Sequence, residues 1–217
     1  MKLVVFGASG QCGQWAVRLA AADGHEVTAC VRPATPYVPP AGVRLLAGDV
    51  LDPSFVHSAV TGHDAILSCL GPQRVNPVNP FSPLKSPPHF CEQSARALVA
   101  AAQAAGVTRL GAISAAGVAE SAPLLPWLMT WLIRHSTVGV MYADLGEMER
   151  IYASSGLDWF AVRPVTLADA PPSSRAREVP RFRMVSRIGR ADVARYMLDM
   201  LGPNPPSRSR TPFIGWT

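Results

Sequence analysis

Gly7, Gly10 and Gly13 recur at every third position directly after a short apolar run, Leu3-Val4-Val5-Phe6. Gly7 allows a tight turn off a strand. Gly10 lets the backbone approach an anion with no side chain in the way, and Gly13 lets the following helix pack closely. The turn Gly7-Ala8-Ser9-Gly10-Gln11-Cys12-Gly13 therefore offers main-chain N–H groups and the positive end of a helix, which is what a dinucleotide diphosphate requires. The spacing is Gly-x-x-Gly-x-x-Gly rather than the commoner Gly-x-Gly-x-x-Gly. Its place between a strand and a helix is what gives it meaning.

Other reactive groups fall where such a ligand would extend. Arg32 follows the next apolar-rich segment, with no acid nearby. An acid there would bind the 2′-hydroxyl of NAD, whereas a guanidinium matches the 2′-phosphate of NADP in charge and geometry. Asp49, followed by Val50, ends a third segment. Its carboxylate either accepts from the adenine amino group or shapes the turn. Ser114, followed by Ala115, ends a later segment and would lie at the nicotinamide, where its hydroxyl can donate to developing negative charge. Tyr142 carries a phenol able to donate a proton, but it also has the spacing of a helix's buried face. His135 reads as a helix-end residue rather than a catalyst.

The four cysteines, Cys12, Cys30, Cys69 and Cys91, form no C-x-x-C pair and no zinc-finger spacing. They read as reduced thiols of a cytoplasmic protein. Cys12 lies inside the glycine turn, where a small side chain fits and oxidation sensitivity is the other reading.

These groups need a strand and helix alternation to position them. The patterns predict strands over 3–6, 26–31, 43–47, 65–68, 107–113 and 158–162, the first five ending near residues named above and the last at Arg163-Pro164-Val165. Helices are predicted after Gly13, after Asp52-Pro53 (N-cap and first helical position), over 89–105, near 138–155 and from Gly189 onward, with Asp192 in the last helix's first turn. Met141, Leu145, Met148 and Tyr152 space as one buried face. Residues 33–40 and 72–88 are proline-rich loops, the second with six prolines. A loop that long in a compact domain is functional or disordered, and this one reads as a wall of a substrate pocket. Residues 165–180 read as loop, 182–185 as a short strand, and Phe213-Ile214 as an added edge strand. The alternation implies an α/β fold with a mainly parallel sheet of six or seven strands and helices on both faces.

The totals bound the rest. The 217 residues suit one domain over 1–217, and 48% hydrophobic content supplies a large core. A net charge of +5, spread along the chain, suits a phosphate-bearing ligand and is too diffuse for nucleic acid. The first residues read as a core strand rather than a signal peptide. The longest apolar stretch, 123–133, is too short to span a bilayer. Its Trp127 and Trp131 fit substrate stacking, ordinary packing or the face of a homodimer.

Four segments together carry a family resemblance: Gly7 to Gly13, Gly48-Asp49-Val50-Leu51-Asp52, Ser155-Gly156-Leu157-Asp158-Trp159 through Val162-Arg163-Pro164, and Arg187-Ile188-Gly189-Arg190-Ala191-Asp192-Val193-Ala194. The chain resembles the atypical short-chain dehydrogenase/reductase superfamily. Within it, the chain is most similar to the small NAD(P)H-binding group that includes NmrA-like proteins and the biliverdin IXβ/flavin reductases. The resemblance implies a doubly wound Rossmann fold and NADP in preference to NAD. It implies Asp49 and Val50 flanking the adenine, and Ser68, Cys69, Leu70 and Gly71 along the ribose and nicotinamide. Ser114 would face the nicotinamide, with Pro164 and Val165 at its carboxamide. Segments near 72–88, 118–136 and 165–186 would cover the substrate. The larger superfamily uses a Tyr-x-x-x-Lys pair, but here Tyr142 is followed four residues later by Gly146, and the only lysines are Lys2 and Lys85. Two functions follow from the resemblance. One is a reductase passing hydride from NADPH to a small planar acceptor, a quinone, flavin or carbonyl compound. The alternative is a non-catalytic NADP sensor that binds a partner protein. The C-terminal part is too short for the substrate lobe of a sugar-nucleotide epimerase.

Overall fold

The computed structural model describes every residue except Met184 and Thr217. Strand β1 (Lys2–Phe6) runs through the glycine turn into α1 (Gln11–Ala22), and Gly24, at φ 78°, turns the chain back into β2 (Glu26–Val31). After the proline-rich loop come β3 (Arg44–Ala47) and α2 (Pro53–Val60). Asp52 caps α2 by accepting from the Ser54 N–H at 2.9 Å, and Pro53 occupies the first helical position. Then follow β4 (Ala65–Ser68), α3 (Phe90–Ala105) and β5 (Arg109–Ile113). A short 3-10 turn (Ala119–Leu124), α4 (Trp127–Arg134) and α5 (Thr137–Ala153) lead to β6 (Asp158–Pro164). The chain closes with β7 (Thr166–Ala168), β8 (Ala176–Glu178), β9 (Arg187–Gly189), α6 (Arg190–Met200) and β10 (Phe213–Trp216).

The main sheet has eight strands in the order β3-β2-β1-β4-β5-β6-β10-β8, with β7 and β9 forming a separate parallel pair. Every neighbouring pair is parallel except β10 with β8. The sheet is therefore larger than six or seven strands. The strand added to it, β8, lies within 165–180, where the sequence reads as loop, as does β7 of the separate pair, and at three residues each they are too short to show a period. Residues 182, 183 and 185 lie outside any strand, with Met184 outside the described residues, and β9 begins further on. Nor is β10 an edge. It pairs with β6 on one side and β8 on the other, so its backbone groups are used in both directions.

Alternation along β1 divides the interior. Leu3 and Val5 point into a core with Ala16 and Val17 of α1 and Val193 and Met197 of α6. Val4 and Phe6 point into the opposite core with Val56 of α2, Leu98 of α3 and Met148 of α5. Helices thus cover both faces, and parallel strands buried on both sides read as continuous apolar runs. Strand order reverses between β1 and β4, because the chain leaves β1 toward β2 and later returns to β1's other side. The crevice beyond the carboxyl ends of β1 and β4 is the place where open α/β sheets bind ligands.

Two carboxylates tie distant elements together. Asp144 of α5 is buried and accepts from the N–H groups of Cys91 and Glu92, both at 2.9 Å, capping α3 from another helix. Asp192 of α6 is also buried and accepts from Ser173 N (2.8 Å), Ser173 Oγ, Ser174 N and the Trp216 indole. It holds the 165–186 segment and β10 against α6. Burial alone pushes the Asp192 carboxyl up, but these donors outweigh it and hold the group below the usual aspartate range.

Candidate nucleotide site

The glycine turn is built by close approach. Gly7 has φ 75°, and a Cβ there would lie 2.8 Å from the Cys69 carbonyl oxygen. A Cβ on Gly13 would lie 2.1 Å from the Gly7 carbonyl oxygen, so any side chain would lift α1 off the turn. The first helical bond is Gln14 N–H to Gly10 O at 2.9 Å. The N–H groups of Gln11, Cys12 and Gly13 therefore have no helical acceptor, and Gly10 has no side chain to cap them. The first turn carries no acid. This cradle fits a diphosphate in charge, in donors and in room.

A cavity of about 270 Å³ opens beside the cradle, over the carboxyl ends of β1, β2 and β4. Its wall includes Gly7, Ser9, Gly10, Arg32, Asp49, Val50, Cys69, Leu70 and Gly71, which the sequence had marked as one set. Arg32 is exposed on the rim, and no described carboxylate pairs with it. Asp49 is exposed on the cavity wall, and its Oδ1 accepts from the Leu51 N–H at 2.9 Å, so it shapes the turn.

Other marked residues lie off this wall. Ala8 is fully buried beneath the turn, and its N–H donates to Cys30 O. Gln11 is exposed at the first helical position. Burial pushes the Cys12 thiol up to about 11, partly offset by the nearby Arg190 charge, so this cysteine is a packing residue at neutral pH. Ser68 is buried and hydrogen-bonded to the Tyr152 hydroxyl, facing the core.

Ser114, Ala115, Pro164 and Val165 cluster at the neighbouring ends of β5 and β6. Ser114 N–H donates to Val162 O at 2.8 Å, and Ala116 N–H to Pro164 O at 3.1 Å. The Val165 N–H is engaged by Ile214 O, and the Pro164 carbonyl accepts from Ala116, so neither of these two groups is wholly free. The Ser114 hydroxyl is buried with no partner among the described residues. A buried hydroxyl left unpaired costs about 1–3 kcal/mol, which a ligand's acceptor would relieve. Tyr142 is half-buried; burial raises its phenol above 10.0, and the Arg74 charge opposes this only in part. At neutral pH it keeps its proton and is a donor.

Thr35, Phe55 and Phe90 also line the cavity and were not marked by the sequence, while Gln73 and Ser86 line it from the 72–88 loop, which was marked as a pocket wall without naming them. Phe55 had a readable signal: a Cβ on Gly48 would lie 2.1 Å from its ring, so the Gly48-Asp49 turn needs glycine to admit that aromatic. Gln73 and Ser86 come from the 72–88 loop, folded on itself by the Arg74–Leu84 bridge and by Ser86 Oγ accepting from the Gln73 N–H at 2.8 Å.

A doubly wound α/β sheet with a glycine cradle at its switch point defines a dinucleotide-binding protein by class. A family model described as NAD(P)H-binding matches residues 7–203, and the chain belongs to this family. The isoflavone reductase homolog IRL of Zea mays is 36% identical over 84 residues, 34% of this chain; the match spans only 27% of that protein. Among solved structures, ChuY, an anaerobilin reductase from Escherichia coli O157:H7, superposes with a TM-score of 0.76 at 22% identity, covering 99% of this chain and 96% of its own. A short-chain dehydrogenase/reductase from Veillonella parvula in complex with NADP gives 0.77 at 15% identity, covering 99% and 94%. At such identities the likeness is one of fold. Among the described residues no helix is long and apolar enough to cross a membrane.

Proposed function

We propose that the protein is an NADPH-dependent reductase acting on a small planar acceptor such as a quinone, a flavin or a carbonyl compound. The observation that carries the reading is Arg32, unpaired among the described residues, on the rim of the cavity beside the glycine cradle. When bound, NADPH supplies the hydride. The chain's own residues do the rest. The N–H groups of Gln11, Cys12 and Gly13 hold the diphosphate. Arg32 reads the 2′-phosphate, and Asp49 and Val50 flank the adenine. Cys69, Leu70 and Gly71 line the path toward Ser114, whose unpaired hydroxyl donates a hydrogen bond to negative charge developing on the acceptor. Tyr142, with its proton retained, is the second donor. The 72–88 loop excludes water from this end of the cleft. A planar acceptor needs little acid catalysis once it is stacked and oriented. The similarity to ChuY supports a reductase.

Gly146 standing four residues after Tyr142, where the superfamily has lysine, favours a second reading: an NADP sensor that binds a partner protein. NADPH oxidation followed with a panel of quinones, flavins and carbonyl compounds separates the two. Turnover with any member supports the reductase. Tight NADPH binding with no turnover across the panel leaves the sensor.

A further inference from the structure

Helix α4 has no buried residue, although its sequence Trp-Leu-Met-Thr-Trp-Leu-Ile-Arg is apolar nearly all round. Met129 and Ile133, four apart, pack on the core. Trp127, Leu128 and Trp131 face outward at 79%, 48% and 50% exposure, and Leu124 just before them stands at 45%. A helix apolar on every side is ordinarily buried, and a contiguous apolar patch of this kind marks an interaction surface. The patch extends beyond the helix. Thr137 N–H donates to Pro80 O at 3.1 Å, which brings exposed Phe81 beside the junction of α4 and α5, where Val140 is also exposed.

Charge selects the occupant. Residues 121–143 contain no acid, and neither do residues 65–91. The cations in these stretches include exposed Arg134, at the end of α4's outward face, and exposed Lys85. A two-fold dimer through this patch would set it against itself, bringing its cations together, while the flanking carboxylates Glu120 and Asp144 are already engaged by Arg163 and by the first N–H groups of α3. An anionic lipid surface complements it: tryptophan and leucine enter the headgroup boundary while arginine stays at phosphate level. We infer that α4 is an interfacial helix, lying on rather than crossing a bilayer, that docks the protein on anionic membrane. This docking does not depend on which acceptor the nucleotide site reduces.

The test is co-sedimentation of the full chain with vesicles of phosphatidylcholine and phosphatidylglycerol in equal parts, against phosphatidylcholine alone, with tryptophan emission recorded. The expected result is at least ~10-fold stronger partition to the anionic vesicles, weakened by salt, with a blue shift. Trp127→Ser/Trp131→Ser is expected to lower partition at least ~10-fold and to abolish most of the shift. Far-ultraviolet circular dichroism and the melting temperature of that variant report whether it is folded. If it is not, Arg134→Glu, a change to an exposed residue, is expected to lower anionic partition about fivefold. Failure of the native protein to sediment, or equal sedimentation by native and variant chains, would overturn the inference. So would a dimer, seen by analytical ultracentrifugation, that the tryptophan substitutions convert to monomer without any vesicle binding.

Discussion

Arg32 and Ser114 are the two residues whose open valences make the site testable. Arg32 is exposed and no described carboxylate pairs with it. Arg32→Glu is expected to raise the Kd for NADPH about 100-fold, because it removes a charge-assisted pair and adds repulsion. NADH, which has no 2′-phosphate, is expected to change less than about threefold. Calorimetry with both nucleotides checks this, and equal losses would remove Arg32 from the 2′-phosphate site. Ser114 poses the opposite problem, a donor shut away from water. Because its hydroxyl makes no hydrogen bond to a described residue, Ser114→Ala is expected to leave the melting temperature unchanged or slightly raised. Turnover is expected to fall about 10- to 100-fold with cofactor affinity retained. A variant that melts lower with turnover intact would make the serine a structural residue.

At the scale of elements, legibility followed contact range. The first strand, its turn and α1 were readable because strand, glycine spacing and helix are contiguous, and Asp52-Pro53 announced α2 by the same local logic. The cap of α3 was not readable. Its N-cap residue, His89, sits at φ 55° with no side-chain cap, and the capping carboxylate, Asp144, comes from 53 residues away. The small strands were hidden for a similar reason: β7 with β9, and β8 with β10, form by pairing across the fold rather than by local pattern. Asp192 was placed correctly in the first turn of α6, but its work lies in fastening Ser173, Ser174 and Trp216. Asp192→Asn puts an amide where a carboxylate accepts four donors. The change is expected to cost about 2–3 kcal/mol in urea unfolding at neutral pH. The pH dependence has a definite sign. The folded-state pKa is depressed, so the carboxylate's contribution is present above the ordinary aspartate value of 3.8 and is lost as pH falls through the lower folded value. The native chain and the Asp192→Asn variant should therefore converge in stability toward that acid range. A gap that stays constant down to acid unfolding would assign the carboxylate no such role.

For the whole molecule, the switch point divides the sheet into a half holding β1, β2 and β3 and a half holding β4, β5, β6, β10 and β8, joined by the β1–β4 ladder. The cavity draws its wall from both halves: Gly7, Gly10, Arg32 and Asp49 from the first, Cys69, Leu70 and Gly71 from the second. A nucleotide seated there touches both sides of the join, so it binds the folded molecule and has no counterpart site in the unfolded chain. At about 100 times Kd such a ligand adds roughly 2.7 kcal/mol. For a chain of 217 residues each kcal/mol moves the melting temperature by about 2–4 °C. Saturating NADPH is therefore expected to raise the melting temperature by about 5–10 °C in scanning calorimetry. NADH at the same concentration should give a smaller rise, and Arg32→Glu should shrink the NADPH rise to the NADH level. If neither nucleotide moves the transition, the cradle past β1 holds something else, and the reductase and the sensor readings fall together while the vesicle experiment remains unaffected.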